Sequence, residues 1–203
     1  MRLAVNCLLL DFDGVLVDYA RHVRVRHLAT SCGCSATQVQ AALFESGLER
    51  EHDLGLDSAQ YLQRLGDALG TPVSARQWGD ARIAASLPRA GVVERVQWIA
   101  RRLPIAILTN NGALMAGMIP EVVPSLADAL QGRVLCSGAL GGRKPAPAVF
   151  SAALQRLGAQ PRHTLFIDDL FVNVRGARQA GLQAETAADS RLFGKVVKRY
   201  GLA

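Results

Sequence analysis

Two carboxylates two residues apart, Asp11 and Asp13, follow directly on an apolar run in the stretch LLLDFDGVLVD. In an extended segment, residues at i and i+2 point to the same side, so the pair can flank one reacting group. Two further polar sets end apolar runs, Thr109-Asn110-Asn111-Gly112 and Asp168-Asp169, and Lys144, within GGRKP ahead of a helix, could bring a cation to the same place. If these sets converge, four carboxylates crowd one place, and burying them unpaired would be prohibitive. A hard divalent cation with oxygen ligands resolves the conflict, and Mg2+ suits a site of few carboxylates, waters and phosphate. A lysine, a threonine hydroxyl and backbone amides beside such an ion make a phosphoryl site. One carboxylate is then free to attack phosphorus and another to shuttle protons.

Such convergence needs a scaffold. Continuous apolar runs at Ala4 to Leu10, Ile105 to Leu108, Val134 to Cys136 and Thr164 to Ile167 predict strands buried on both faces. Helical spacing over Gly91 to Leu103, Pro147 to Leu157 and Val172 to Ala180 separates them, with Pro104, Gly158 and Gly181 as stops. The alternation predicts an α/β fold: a Rossmann-like three-layer core around a parallel central sheet. Ligands of such sheets bind beyond the carboxyl ends of the strands, where the polar sets stand. From Tyr19 to Ala90 the pattern contains no strand. Ser35 to Gln38 and Ser74 to Gln77 read as capping boxes, and Ser58 to Leu69 has helical spacing. The expected division is therefore a core of residues 1–18 and 91–203, with an all-helical cap, 19–90, inserted after the first strand.

Four segments in order, DFDGVLVD, ILTNNG, GGRKPAPAVF and FIDDLFVNVRGARQAG, resemble the four motifs of the haloacid dehalogenase superfamily. The likeness is to its phosphatase-like members with a small helical cap. The RKP and DDxxxN wording is similar to that of glucose-1-phosphate phosphatase and of the phosphatase domain of soluble epoxide hydrolase. The resemblance implies a Mg2+-dependent phosphatase that hydrolyses a small phosphorylated metabolite, a sugar phosphate or similar monoester, through an aspartyl-phosphate. By the same resemblance Asp11 is nucleophile and metal ligand. Asp13 is general acid and then base, with its backbone carbonyl on the metal. Thr109 and the amide of Asn110 hold phosphoryl oxygens, and Lys144 neutralises Asp11 and the phosphate. Asp169 is the direct acidic metal ligand and Asp168 acts through a water. The alternatives are a phosphosugar mutase, a 2-haloacid dehalogenase and a catalytically weak regulatory member. Asp13 argues against the dehalogenase, because dehalogenases of this family keep no acid there.

The remaining residues fit one soluble globular unit. The chain has 203 residues, 50% hydrophobic and 20% charged, with a net charge of +6. Much of the excess sits in the tail, where Arg191, Lys195, Lys198 and Arg199 read as the solvated face of an amphipathic helix with Leu192, Val196 and Val197 inward. No nucleic-acid partner and no membrane partner is expected. Cys7, Cys32, Cys34 and Cys136 lack metal or disulfide spacing and read as reduced thiols of a cytoplasmic protein; no secretory signal is expected. His22, His27, His52 and His163 read as structural or surface residues. Asn173 reads as the cap of the helix after Asp168-Asp169. Glu49, Arg50 and Glu51, in a glycine-containing segment, read equally as substrate-facing or as a solvated turn.

Overall fold

The computed structural model describes residues 4–202; residues 1–3 and 203, at the ends of the expected core ranges, lie outside the described residues. The chain opens with β1 (Cys7–Leu10), β2 (Val17–Tyr19), α1 (Arg21–Cys32) and α2 (Ala36–Gln40). A π-helical turn (Ala41–Glu45) leads to α3 (Leu48–Asp53), α4 (Ser58–Leu69), α5 (Ala75–Ala84) and β3 (Ser86–Pro88). Then follow α6 (Ala90–Ala100), β4 (Ile105–Thr109), α7 (Ala113–Val122), α8 (Ala127–Leu130) and β5 (Val134–Cys136). The last elements are α9 (Pro147–Leu157), β6 (Thr164–Asp168), α10 (Phe171–Gln179), β7 (Gln183–Thr186) and α11 (Ser190–Arg199).

Five strands form a parallel sheet in the order β5-β4-β1-β6-β7. Side chains alternate across a strand, and both faces here are covered. Leu8, Leu10, Ile105, Ile107, Leu165 and Ile167 face one apolar cluster with α6 and α11. Leu9, Ala106, Leu108 and Phe166 face another with α9 and α10. That is why β1, and β4 as far as Leu108, are apolar at every position rather than at alternate ones. Edge strand β7, QAET, carries one buried apolar residue, Ala184, and so gave no run to recognise.

Helices α1 to α5 lie between β2 and β3, which pair antiparallel as a separate two-stranded ribbon. This corrects the expectation of no strand between Tyr19 and Ala90. The signal is weak for a physical reason: three-residue strands that are partly exposed, one ending in proline, have neither length nor alternation. Arg89 clamps the ribbon, donating to Asp18 Oδ1 (2.6 and 2.8 Å) and to the carbonyls of Gly14 and Ala188. Both capping boxes form, with Ser35 accepting from the Gln38 amide and Ser74 from the Gln77 amide. In α11 the inward residues are Phe193, Val196 and Val197, while Leu192, expected inward, is exposed. Among the described residues no single helix is long and apolar enough to cross a membrane.

Candidate active site

Chain order explains where the site lies. From β1 the chain builds outward through β4 and β5, then returns to the other side of β1 for β6 and β7. The crevice at such a reversal, beyond the carboxyl ends, is the natural ligand position of an open α/β sheet. Asp11 follows β1 directly, Thr109 ends β4 and Asp168 ends β6. Phe12, fully buried, anchors the backbone between Asp11 and Asp13. Gly14 then turns the chain with φ +83°, and a Cβ there would collide with the Asp169 carboxylate. Only glycine meets both demands.

Lys144 is the centre of the charged cluster. Its Nζ lies 2.9 Å from Asp11 Oδ1 and 2.8 Å from Asp168 Oδ2, with 4% of the residue exposed. Burial pulls the ammonium down, but Asp11 and Asp168 outweigh it and hold its pKa above the ordinary value. Asp168 is fully buried and saturated: besides Lys144 it accepts from Asn173 Nδ2 (3.0 and 3.1 Å) and from the Leu170 amide (2.8 Å). Asn173 therefore does not cap α10, as its spacing suggested; it sits inside the helix and fixes Asp168. One oxygen from each of Asp11, Asp168 and Asp169 lies within 4.8 Å of the others. Burial, and then Asp168 against the partial relief from Lys144, push Asp11 up to about 8; burial and Asp168 also raise Asp169. The cluster holds more negative charge than its lysine balances, and the donors are all hard oxygens. It fits a divalent cation such as Mg2+.

Asp13 stands apart from that trio. Its Oδ2 accepts from Arg82 Nη2 (2.6 Å) and Asn111 Nδ2 (2.9 Å). Asn111 Nδ2 also donates to Thr109 Oγ1 (2.7 Å), and its amide donates to the same oxygen (3.1 Å). The Asn110 side chain braces the lysine loop: its Oδ1 accepts from the Lys144 amide (2.9 Å) and from Ser137 Oγ (2.7 Å), and its Nδ2 donates to the Lys144 carbonyl (3.2 Å). Sequence reading missed Arg82, Asn111 and Ser137 in these roles. Asn111 lay within a quoted motif; nothing in the local sequence marked the other two.

A cavity of about 670 Å³ spans the site and the helical block. Asp11, Asp13, Thr109, Asn110, Asp169 and Asn173 line its sheet end; Arg21, Phe44, Glu49, Arg50 and Asp53 line its helical end. Of the ambiguous cap residues, Glu49 and Arg50 thus face the cavity, whereas Glu51 pairs with exposed Arg64 outside it. The block approaches the core closely at Gly138, where a Cβ would overlap the Asp53 carbonyl. His52 is buried and stacked on Tyr61 at 4.3 Å, and His163 meets the Ala4 carbonyl at 2.8 Å. His22 and His27 are exposed, and all four cysteines are free.

A doubly wound parallel sheet with buried carboxylates gathered round a lysine at its carboxyl edge defines an α/β enzyme with a cation-seeking centre. The family model for haloacid dehalogenase-like hydrolases matches residues 5–181, and the chain belongs to that family. It is 34% identical over 141 residues to a phosphatase of Mycobacterium tuberculosis (strain CDC 1551 / Oshkosh), a match covering 70% of this chain but only 58% of the relative's length. A haloacid dehalogenase-like hydrolase of Porphyromonas gingivalis superposes with TM-score 0.77 at 21% identity, over 97% of this chain and 98% of that one. A haloacid dehalogenase family enzyme of Bacteroides thetaiotaomicron, solved with magnesium and inorganic phosphate, superposes with TM-score 0.73 at 19% identity, over 90% and 94%. L-2-haloacid dehalogenase from Xanthobacter autotrophicus shares the fold at TM-score 0.60 and 18% identity, over 89% and 76%. These structural likenesses speak to the fold.

Proposed function

We propose that the protein is a Mg2+-dependent phosphomonoesterase for a small phosphorylated metabolite, acting through an aspartyl-phosphate on Asp11. The observation that carries this reading is the acidic trio of Asp11, Asp168 and Asp169 gathered around Lys144, with Asp13 two residues from the nucleophile. The relative described as a phosphatase and the structural neighbour solved with magnesium and phosphate support it. So does the cavity, whose size suits a sugar phosphate or a similar monoester. In this reading residues 19–90 are a cap over a core of 1–18 and 91–203, and the ribbon of β2 and β3 is its neck.

Asp11, Asp169 and the backbone carbonyl of Asp13 would hold the ion, with Asp168, its own oxygens taken by Lys144 and Asn173, behind them. Bound there, the ion supplies positive charge against the carboxylates and the phosphoryl group. The residues do the rest. Asp11 attacks phosphorus. Thr109 and the Asn110 amide hold phosphoryl oxygens, and Lys144 keeps Asp11 oriented and offsets its charge. Asp13 protonates the departing alcohol, then takes a proton from the water that opens the aspartyl-phosphate. Asp11→Asn should lower turnover of p-nitrophenyl phosphate on the order of 10⁶-fold, the scale of losing a nucleophile. Full activity in the purified variant, or chloride release from 2-chloropropionate without any phosphatase activity, would overturn the reading.

A further inference from the structure

We infer that Arg82 is a positioning residue through which the helical block and its neck set the acid/base carboxyl of Asp13. The inference rests on the phosphatase reading and adds a residue to it that no motif contains.

Arg82 lies near the end of α5, inside the block, yet only 2% of it is exposed and it reaches the core. Its guanidinium is held on three sides. The ring of Tyr19, in β2, lies 3.8 Å from its centre. Ser86 Oγ, in β3, accepts from Nη1 at 3.1 Å and donates back to the Arg82 carbonyl at 2.9 Å. Tyr19 and Ser86 are register partners in the ribbon. The neck thus grips the arginine through both of its strands. The free edge, Nη2, donates to Asp13 Oδ2 and to Asn111 Oδ1. A planar guanidinium fixed in this way gives direction as well as charge.

The consequence lies in where the Asp13 carboxyl stands. Its Oδ2 accepts from Arg82 and from Asn111, and Oδ1 has no hydrogen-bond partner among the described residues, so these two donors alone fix the group. In the first step Asp11 forms a bond to phosphorus while the ester P–O bond breaks. A proton passes from the Asp13 carboxyl to the leaving oxygen, giving an alcohol, an aspartyl-phosphate and an Asp13 carboxylate. In the second step that carboxylate takes a proton from water as it attacks phosphorus. Phosphate leaves, and Asp11 and the Asp13 acid are restored. Arg82 touches no reacting atom; it holds the Asp13 carboxyl in place through Oδ2.

The test uses leaving groups. kcat/KM covers only steps through phosphoryl transfer, where an alkyl alcohol needs a proton and p-nitrophenolate does not. Arg82→Gln should lower kcat/KM for ethyl phosphate on the order of tenfold more than for p-nitrophenyl phosphate, part of the range a general acid supplies. In an Asp13→Asn background the same substitution should have no further selective effect. Arg82→Lys, which keeps charge but loses the two-edged hold, should fall between. Should Arg82→Gln fail to fold by circular dichroism, Arg82→Lys and Asn111→Ala carry the same comparison. An equal loss on both esters, or a selective loss that persists with Asp13→Asn, overturns the inference and leaves the phosphatase reading standing. Wild-type protein inert on both esters overturns the phosphatase reading itself.

Discussion

Two buried charged networks lie on either side of one cavity, and they are built in opposite ways. In the helical block, Arg24 meets Glu49 through two parallel bonds of 2.8 and 3.1 Å. Tyr61 donates to Glu49 at 2.6 Å, and Trp78 donates to Tyr61 at 2.9 Å. Charges there cancel. Burial pushes Glu49 up, but Arg24 outweighs it, and the carboxyl ends below its ordinary range. At the sheet edge, Lys144 faces both Asp11 and Asp168, with Asp169 beside them, and Asp11 is pushed up to about 8. The two differ in closure. A network with matched charges needs no further ion and serves the packing around it, even with Arg24 Nε left without a partner among the described residues. A network short of positive charge is costly as it stands, and such sites belong to ligands.

The largest effect expected from this contrast is on stability. Glu49→Gln leaves Arg24 charged and 2% exposed without its partner. Breaking one side of a buried pair costs about 3 kcal/mol or more, so chemical denaturation should show a loss of that order. Neutralising the sheet edge should act in the other direction. Asp169→Asn removes a like charge that burial and Asp168 already disfavour, and should leave the ion-free protein as stable as wild type or slightly more so. A marked destabilisation by Asp169→Asn, with none from Glu49→Gln, would break the comparison.

Next in size is the response to Mg2+. If the sheet edge is open and the cap network closed, the ion should stabilise the wild type by about 2.7 kcal/mol at a hundred times its Kd. The rise in Tm should vanish in Asp169→Asn and survive in Arg64→Ala, whose exposed partner Glu51 lies outside the cavity. An equal rise in Asp169→Asn would place the ion elsewhere.

The same contrast explains what was legible in the sequence. The sheet edge was readable because its residues stand at the ends of continuous apolar runs, and Asp11, Thr109 and Asp168 occupy consecutive positions of the sheet order. Lys144 was legible only as a cation ahead of a helix, and its role needed the family resemblance, since a lysine in a glycine-rich loop carries no local signature. The cap network was not readable. Arg24, Glu49, Tyr61 and Trp78 come from four helices, and nothing in helical periodicity says which polar residue will be turned inward to meet which. Arg82 is the sharpest case. Its neighbours on α5 give no hint of a buried arginine, and its partners Asp13 and Asn111 are 69 and 29 positions away. Asn173 failed for a simpler reason. Proximity to a helix start suggests a cap, but the residue is the third of α10, and its side chain turns to Asp168 instead of the helix amides. The helical block as a whole followed from capping boxes and stop glycines, while the ribbon joining it to the core was too short to leave a pattern.

Asp53 lies between the two networks and offers the smallest and finest test. It is at the end of α3, 3.4 Å from Arg143, the neighbour of Lys144, and within the field of Glu49. Burial, then Glu49, push its carboxyl up to about 7, against partial relief from Arg143. The folded protein therefore binds a proton that the unfolded chain, with an ordinary carboxyl near 3.8, has already released. Stability from this group is present below the unfolded pKa and is lost as pH rises toward 7. Between about pH 6 and pH 7 the wild type should lose about 1 kcal/mol relative to Asp53→Asn, as a fraction of one proton is linked over that unit. Parallel pH profiles would mean that Asp53 is already charged, and that the balanced charge of the cap extends to the wall of the cavity. A pair that diverges as pH rises would put the boundary between closed and open charge at this residue, one helical turn from Glu49.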